Sequence, residues 1–187
     1  MTNKVMKMND KNIKRIITFV LFFISFNLSL FSYKLEVHDC KGEIIEPGKN
    51  ALAKDVKNAL DNAMEKAKTC LPEGFYNKIK NKLDSVTLII HISCHMPGKC
   101  GETWQFKDPR FKWSISFSYQ NNWKNGCGCL EGIMIHELLH WGGELTNSDE
   151  DETKAYSCQL KCYSECTKIP KEYKDKAKPE LCCESEK

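Results

Sequence analysis

The chain has 187 residues, of which 41% are hydrophobic and 28% charged, and its formal net charge is +3. That length fits one domain, and the near-balanced charge excludes the basic footprint of a nucleic-acid-binding protein. Lys171, Lys174, Lys176 and Lys178, the densest run of cations near the C-terminus, are interleaved with acids and read as solvated surface.

The N-terminus reads as a targeting segment. Lys4, Lys7, Lys11, Lys14 and Arg15 precede an uncharged apolar run from Ile16 to Phe31, the layout of a secretory signal. Residues 1–33 are expected to be a signal peptide, or a signal anchor if uncleaved, and residues 34–187 the folded domain. Five of the 28 Lys+Arg and one of the 25 Asp+Glu fall in 1–33, which leaves 23 against 24 and a net charge of −1. All 11 cysteines lie after this segment. So many thiols behind an export signal point to an oxidising compartment and a disulfide framework, with one Cys left over. The expected location is therefore secreted or extracytoplasmic.

From Tyr33 to Asn50 the sequence is short and mixed, with Pro47-Gly48 as a turn. Leu52, Val56, Ala59, Leu60, Ala63, Met64 and Ala67 then recur at helical spacing up to Cys70, ahead of Pro72. A weaker helix is expected over 75–83, and the β-branched run 86–93 reads as a strand buried on much of its surface. Residues 94–111 are loop-like, with Pro97-Gly98, Gly101 and Asp108-Pro109. Trp113 to Tyr119 alternates large and small, a half-buried strand. Asn121-Asn122 and Asn125-Gly126 lead into an apolar helix from Leu130 to Trp141, and Gly142-Gly143 suits a left-handed terminus. Ser148 followed by Asp149, Glu150 and Asp151 reads as the N-cap and acidic first turn of a last helix running to about Cys166. From about residue 168 the tail is charged and Pro-interrupted, tied down through Cys182 or Cys183. The expected class is α+β: a small, disulfide-stabilised domain with a short sheet that covers the first and the Leu130–Trp141 helices.

Inside that apolar helix stands His136-Glu137-Leu138-Leu139-His140. Residues four apart lie one above the other on a helix, so both imidazoles leave one face with a carboxylate beside them. Two neutral imidazoles at that spacing can hold zinc, and Glu137 can take a proton from a water that the metal polarises. Chance would produce the pattern in about one of 100 chains of this composition. Catalytic zinc generally takes three protein ligands, and no histidine follows His140. The downstream candidates are Glu144, Asp149, Glu150, Asp151, Glu152 and the thiolates of Cys158 or Cys162; His91 and His95 stand upstream. Glu152 is preferred because it shares the face of the last helix that carries Ala155, Tyr156, Gln159, Cys162 and Cys166. Asp149, Glu150 and Asp151 already serve the helix dipole. Cys127-Gly128-Cys129 and the stripe Cys158, Cys162, Cys166 are read as bridging rather than metal clusters. Tyr156 and Tyr163 are possible phenol donors, though packing explains each.

His136-Glu137-Leu138-Leu139-His140, followed by Glu152-Thr153-Lys154-Ala155-Tyr156, resembles the zincin metallopeptidases, the gluzincins in particular. The resemblance implies one Zn2+ held by His136, His140 and Glu152, with Glu137 as general base. It implies hydrolysis of peptide bonds in a peptide or protein substrate; the chain itself is expected to be a monomer. It also implies that the Trp113–Tyr119 strand is an edge on which an extended peptide is laid. The chain departs from gluzincins in the short interval between His140 and Glu152, and in Tyr156, where an Asp supporting a histidine ligand is common. The metzincin pattern fails, because Thr146 stands at its third ligand position and no Met follows Met134. The rival expectation is a secreted, disulfide-rich binding protein or toxin-like module with a structural or inactive zinc site.

Overall fold

A computed structural model describes residues 33–94, 100–104, 114–118 and 127–183. The apolar N-terminal run, His95 and the Asn-rich approach to the Leu130 helix lie outside the described residues. Among the described residues no helix is long and apolar enough to cross a membrane. The described part belongs to the compact unit Tyr33–Lys187.

The element order is β1 (Lys34–His38), α1 (Ala51–Cys70), α2 (Glu73–Ser85), β2 (Thr87–Ser93), β3 (Gly101–Trp104), β4 (Ser114–Ser118), α3 (Leu130–Trp141) and α4 (Asp149–Tyr163), followed by two short 3-10 turns. The expected mixed α and β class is present, with four helices and a four-stranded sheet among the described residues. Two strands depart from the expectation. Lys34–His38, within the segment read as short and mixed, pairs in parallel with β2, with Val37 opposite Ile90. Gly101–Trp104, within the segment read as a loop, pairs antiparallel with β4.

The sheet order is β1-β2-β4-β3, with β2 and β4 parallel. This overturns two expectations about Trp113–Tyr119. Its described part, β4, is internal rather than an edge, and all five residues are buried rather than half of them. Flanked on both sides, it shields its serines as well as Ile115 and Phe117. The edge is β3.

Helix α1 starts where the Asn50 side chain accepts from the backbone N–H groups of Leu52 and Ala53, at 2.9 and 3.2 Å. It buries Val56, Leu60, Ala63, Met64 and Ala67 on one face. Helix α2 buries Phe75, Ile79 and Leu83 at a spacing of one turn. Helix α3 packs against α1, α4, β3 and β4. It is buried on all sides, with Glu131 alone of its residues outside that class, as its apolar composition requires.

The end of α3 corrects another expectation. Neither glycine is left-handed; the positive φ, 66°, belongs to Glu144. Gly142 and Gly143 serve close approach instead. A Cβ would lie 3.0 Å from the Cα of Ile79 at Gly142, and 2.6 Å from the carbonyl oxygen of Leu139 at Gly143.

Five disulfides knit these elements: Cys40–Cys94, Cys70–Cys162, Cys100–Cys127, Cys129–Cys166 and Cys158–Cys182. Ten of the 11 cysteines are thus bridged, and Cys183 is free and exposed. The tail is tied through Cys182. This framework fits an extracytoplasmic protein.

Candidate metal centre

Helix α3 presents His136 and His140 one turn apart, and the first turn of α4 carries Glu152 toward them. His136 Nε2 lies 3.3 Å from Glu152 Oε2, His140 Nε2 lies 3.5 Å from Glu152 Oε1, and the two Nε2 atoms are 3.3 Å apart. Four ligands arranged tetrahedrally about zinc, at its usual bond lengths to nitrogen and oxygen, sit about 3.3 Å from one another. The three groups therefore stand at metal-ligand spacing, and among the described residues they form the His/Cys/Asp/Glu cluster able to hold an ion.

Tautomer and charge agree with that reading. The Nδ1 of His140 faces the carbonyl oxygen of Leu145 at 3.2 Å. A carbonyl only accepts, so Nδ1 carries the proton and Nε2 offers its lone pair. Burial, and after it the neighbouring His136, hold the His140 pKa below its ordinary value, which keeps the ring neutral. His136 Nδ1 is buried with no hydrogen-bond partner. Its ring instead lies against Tyr156, centroids 4.3 Å apart, where an acid would stand in the gluzincin pattern.

The other candidate ligands are placed elsewhere. Glu144 pairs with Lys78 at 3.0 Å, and Asp149 with Lys176 at 2.6 Å. Asp151 accepts from the backbone N–H of Thr146 at 2.8 Å and also from its hydroxyl. Glu150 is exposed. Cys158 and Cys162 are consumed by bridges to Cys182 and Cys70, which removes the thiolate option. His91 sits in β2 against His38, ring centroids 4.7 Å apart, outside the cluster. Tyr163 donates to the Asn62 carbonyl at 3.2 Å, while Tyr156 lines the cleft.

Glu137 is 4% exposed. Burial pushes its carboxyl up to about 7, against the lowering effect of His136 and of the Thr103 hydroxyl. Thr103 Oγ1 donates to Glu137 Oε2 at 2.7 Å. Sequence reasoning missed Thr103 and Gly101, since a four-residue strand in a glycine- and proline-punctuated segment has no periodicity to detect.

A cleft of about 340 Å³ opens along this group, walled by β3 on one side and by the Lys168–Glu172 part of the tail on another. A second cavity of about 710 Å³ shares Thr103, His140 and Asn147 with it and extends toward Lys78 and Lys82 of α2. No protein-family model, curated protein or solved structure matches this chain.

Proposed function

We propose that this is an exported zinc metallopeptidase, similar to the zincins, with His136, His140 and Glu152 as ligands and Glu137 as general base. The observation that carries the reading is the ligand-spaced trio of His136, His140 and Glu152 at the wall of a cleft, with the Glu137 carboxylate beside it. Zinc held there supplies a Lewis acid that polarises the scissile carbonyl and acidifies water. Two neutral imidazoles and one carboxylate suit that ion, which His136, His140 and Glu152 would hold.

The remaining work falls to the chain. Glu137 accepts a proton as the water oxygen adds to the amide carbon, then delivers it to the departing amine nitrogen as the C–N bond breaks. Strand β3, the antiparallel edge beside α3, offers its backbone to an extended substrate, the role the sequence had suggested for Trp113–Tyr119. Tyr156 lies on the cleft wall, its pKa raised by burial and then by Glu152 and Glu137, so it stays protonated as a donor. The apolar N-terminal run supplies export, and the bridges suit the compartment reached.

The test is hydrolysis of a peptide library by zinc-loaded protein beside E137Q. The reading expects cleavage by the parent, a loss of about 10²–10⁴-fold in the variant, and one zinc per chain in both. Equal activity in the two sinks it; zinc without turnover in either makes the protein a binding module.

A further inference from the structure

We propose that Thr103, with Gly101 beside it, is a positioning residue that fixes the orientation of the Glu137 carboxylate, so that the edge strand aims the general base as well as lining the cleft. This rests on the peptidase reading above and deepens it. Thr103 Oγ1 is 2.7 Å from Glu137 Oε2 and 3.0 Å from the Glu137 carbonyl oxygen. The hydroxyl has one proton to give, and the nearer, charged oxygen is the stronger acceptor. Oε2 is thereby pinned to β3.

The other oxygen is accommodated by the absence of a side chain. A Cβ at Gly101 would lie 2.6 Å from Glu137 Oε1 and 2.9 Å from Ile133 Cγ2. Strand β3 pairs Gly101 with Phe117 and Thr103 with Ile115, so both positions project to the same face of the sheet, the face on which α3 packs. One residue supplies a donor to one carboxylate oxygen, and the other supplies room for its twin.

The reason to hold Glu137 this way is conformational. A glutamate side chain has three rotatable bonds, and general-base catalysis needs its oxygen within hydrogen-bond reach of the proton it removes. Small errors of placement cost large factors in rate. Buried as it is, a charged Glu137 also needs a donor in place of the water it has lost. The rival role for Thr103 is mechanical: its hydroxyl near the Glu137 carbonyl would simply clip β3 to α3.

Two variants separate these roles. T103V keeps the shape and removes the donor; T103S keeps the donor and removes the methyl. In the zinc-loaded protein T103V is expected to lose about 10–100-fold in kcat, with KM and zinc stoichiometry unchanged. T103S is expected to recover kcat to within about threefold. A readout independent of turnover is the affinity of a small hydroxamate, a metal chelator whose N–H and O–H also call on the general base. It should weaken about tenfold or more in T103V and hold in T103S. Wild-type kcat in T103V, or equal losses in T103V and T103S, overturns the proposal in favour of packing. If the zinc-loaded parent hydrolyses nothing, the peptidase reading fails separately. The hydroxamate then still decides, because unchanged affinity in T103V refutes the positioning role.

Discussion

Zinc should behave as a structural brace between α3 and α4, and the size of that effect can be worked out. The ligand atoms already stand 3.3 to 3.5 Å apart, so binding requires little rearrangement and its free energy appears as stability. A ligand that binds the native state alone, present at 100 times its dissociation constant, adds about 2.7 kcal/mol. For a domain of this size, about 2–4 °C of melting temperature accompanies each kcal/mol, giving a rise of about 5–11 °C. The experiment is scanning calorimetry of protein stripped with a thiol-free chelator, then titrated with zinc to 100 times the dissociation constant found by isothermal calorimetry. E152Q preserves shape and removes the anionic ligand, so at the same zinc concentration its rise should shrink to about 2 °C or less. An unmoved melting temperature in the parent, or the same rise in E152Q, would refute the three-ligand assignment without reference to any substrate.

Other outcomes follow from the same contacts. Eleven cysteines with five bridges leave one thiol, so a chromogenic thiol reagent should count one group per native chain, and none in C183S. Opening Cys100–Cys127, which spans 27 residues, in a double serine variant should cost about 3–4 kcal/mol by loop-closure entropy. Denaturant unfolding would reveal this, and an unchanged midpoint would contradict the pairing. G143A pushes a methyl toward the Leu139 carbonyl, 2.6 Å from where it would sit, and should lower stability by about 1–3 kcal/mol. An increase would mean that α3 has slack at its end.

What the sequence conveys best are the elements whose signal is local. The helical recurrence from Leu52 to Ala67, the Ser148 cap and the apolar Leu130–Trp141 run each carry their own period or stop signal. The His136–Glu137–His140 spacing is legible for the same reason, and Glu152 is approachable because its helix face is. Strand β1 has only Leu35 and Val37 as its alternating pair, and its partner β2 lies beyond two helices. Strand β3 is held by pairing with β4 and by the Cys100–Cys127 bridge, neither of which leaves a periodic trace. With that strand silent in the sequence, Trp113–Tyr119 reads as the edge, and nothing local points to Thr103 and Gly101 beside Glu137. The glycines after His140 suit a left-handed terminus by sequence but answer a steric need, a distinction that only the approach of Ile79 and of the Leu139 carbonyl makes.

The parallel pairing of β1 with β2 has a consequence for how the chain reaches this state. The two strands are separated in sequence by all of α1 and α2, and Cys70 finds Cys162 across 92 residues. Distant partners must meet before any ladder rewards them, which makes such topologies slow to form. Eleven thiols oxidising ahead of that encounter will mispair. Renaturation from the reduced chain should therefore run at the pace of thiol–disulfide reshuffling, seconds to hours, and quicken with an isomerase.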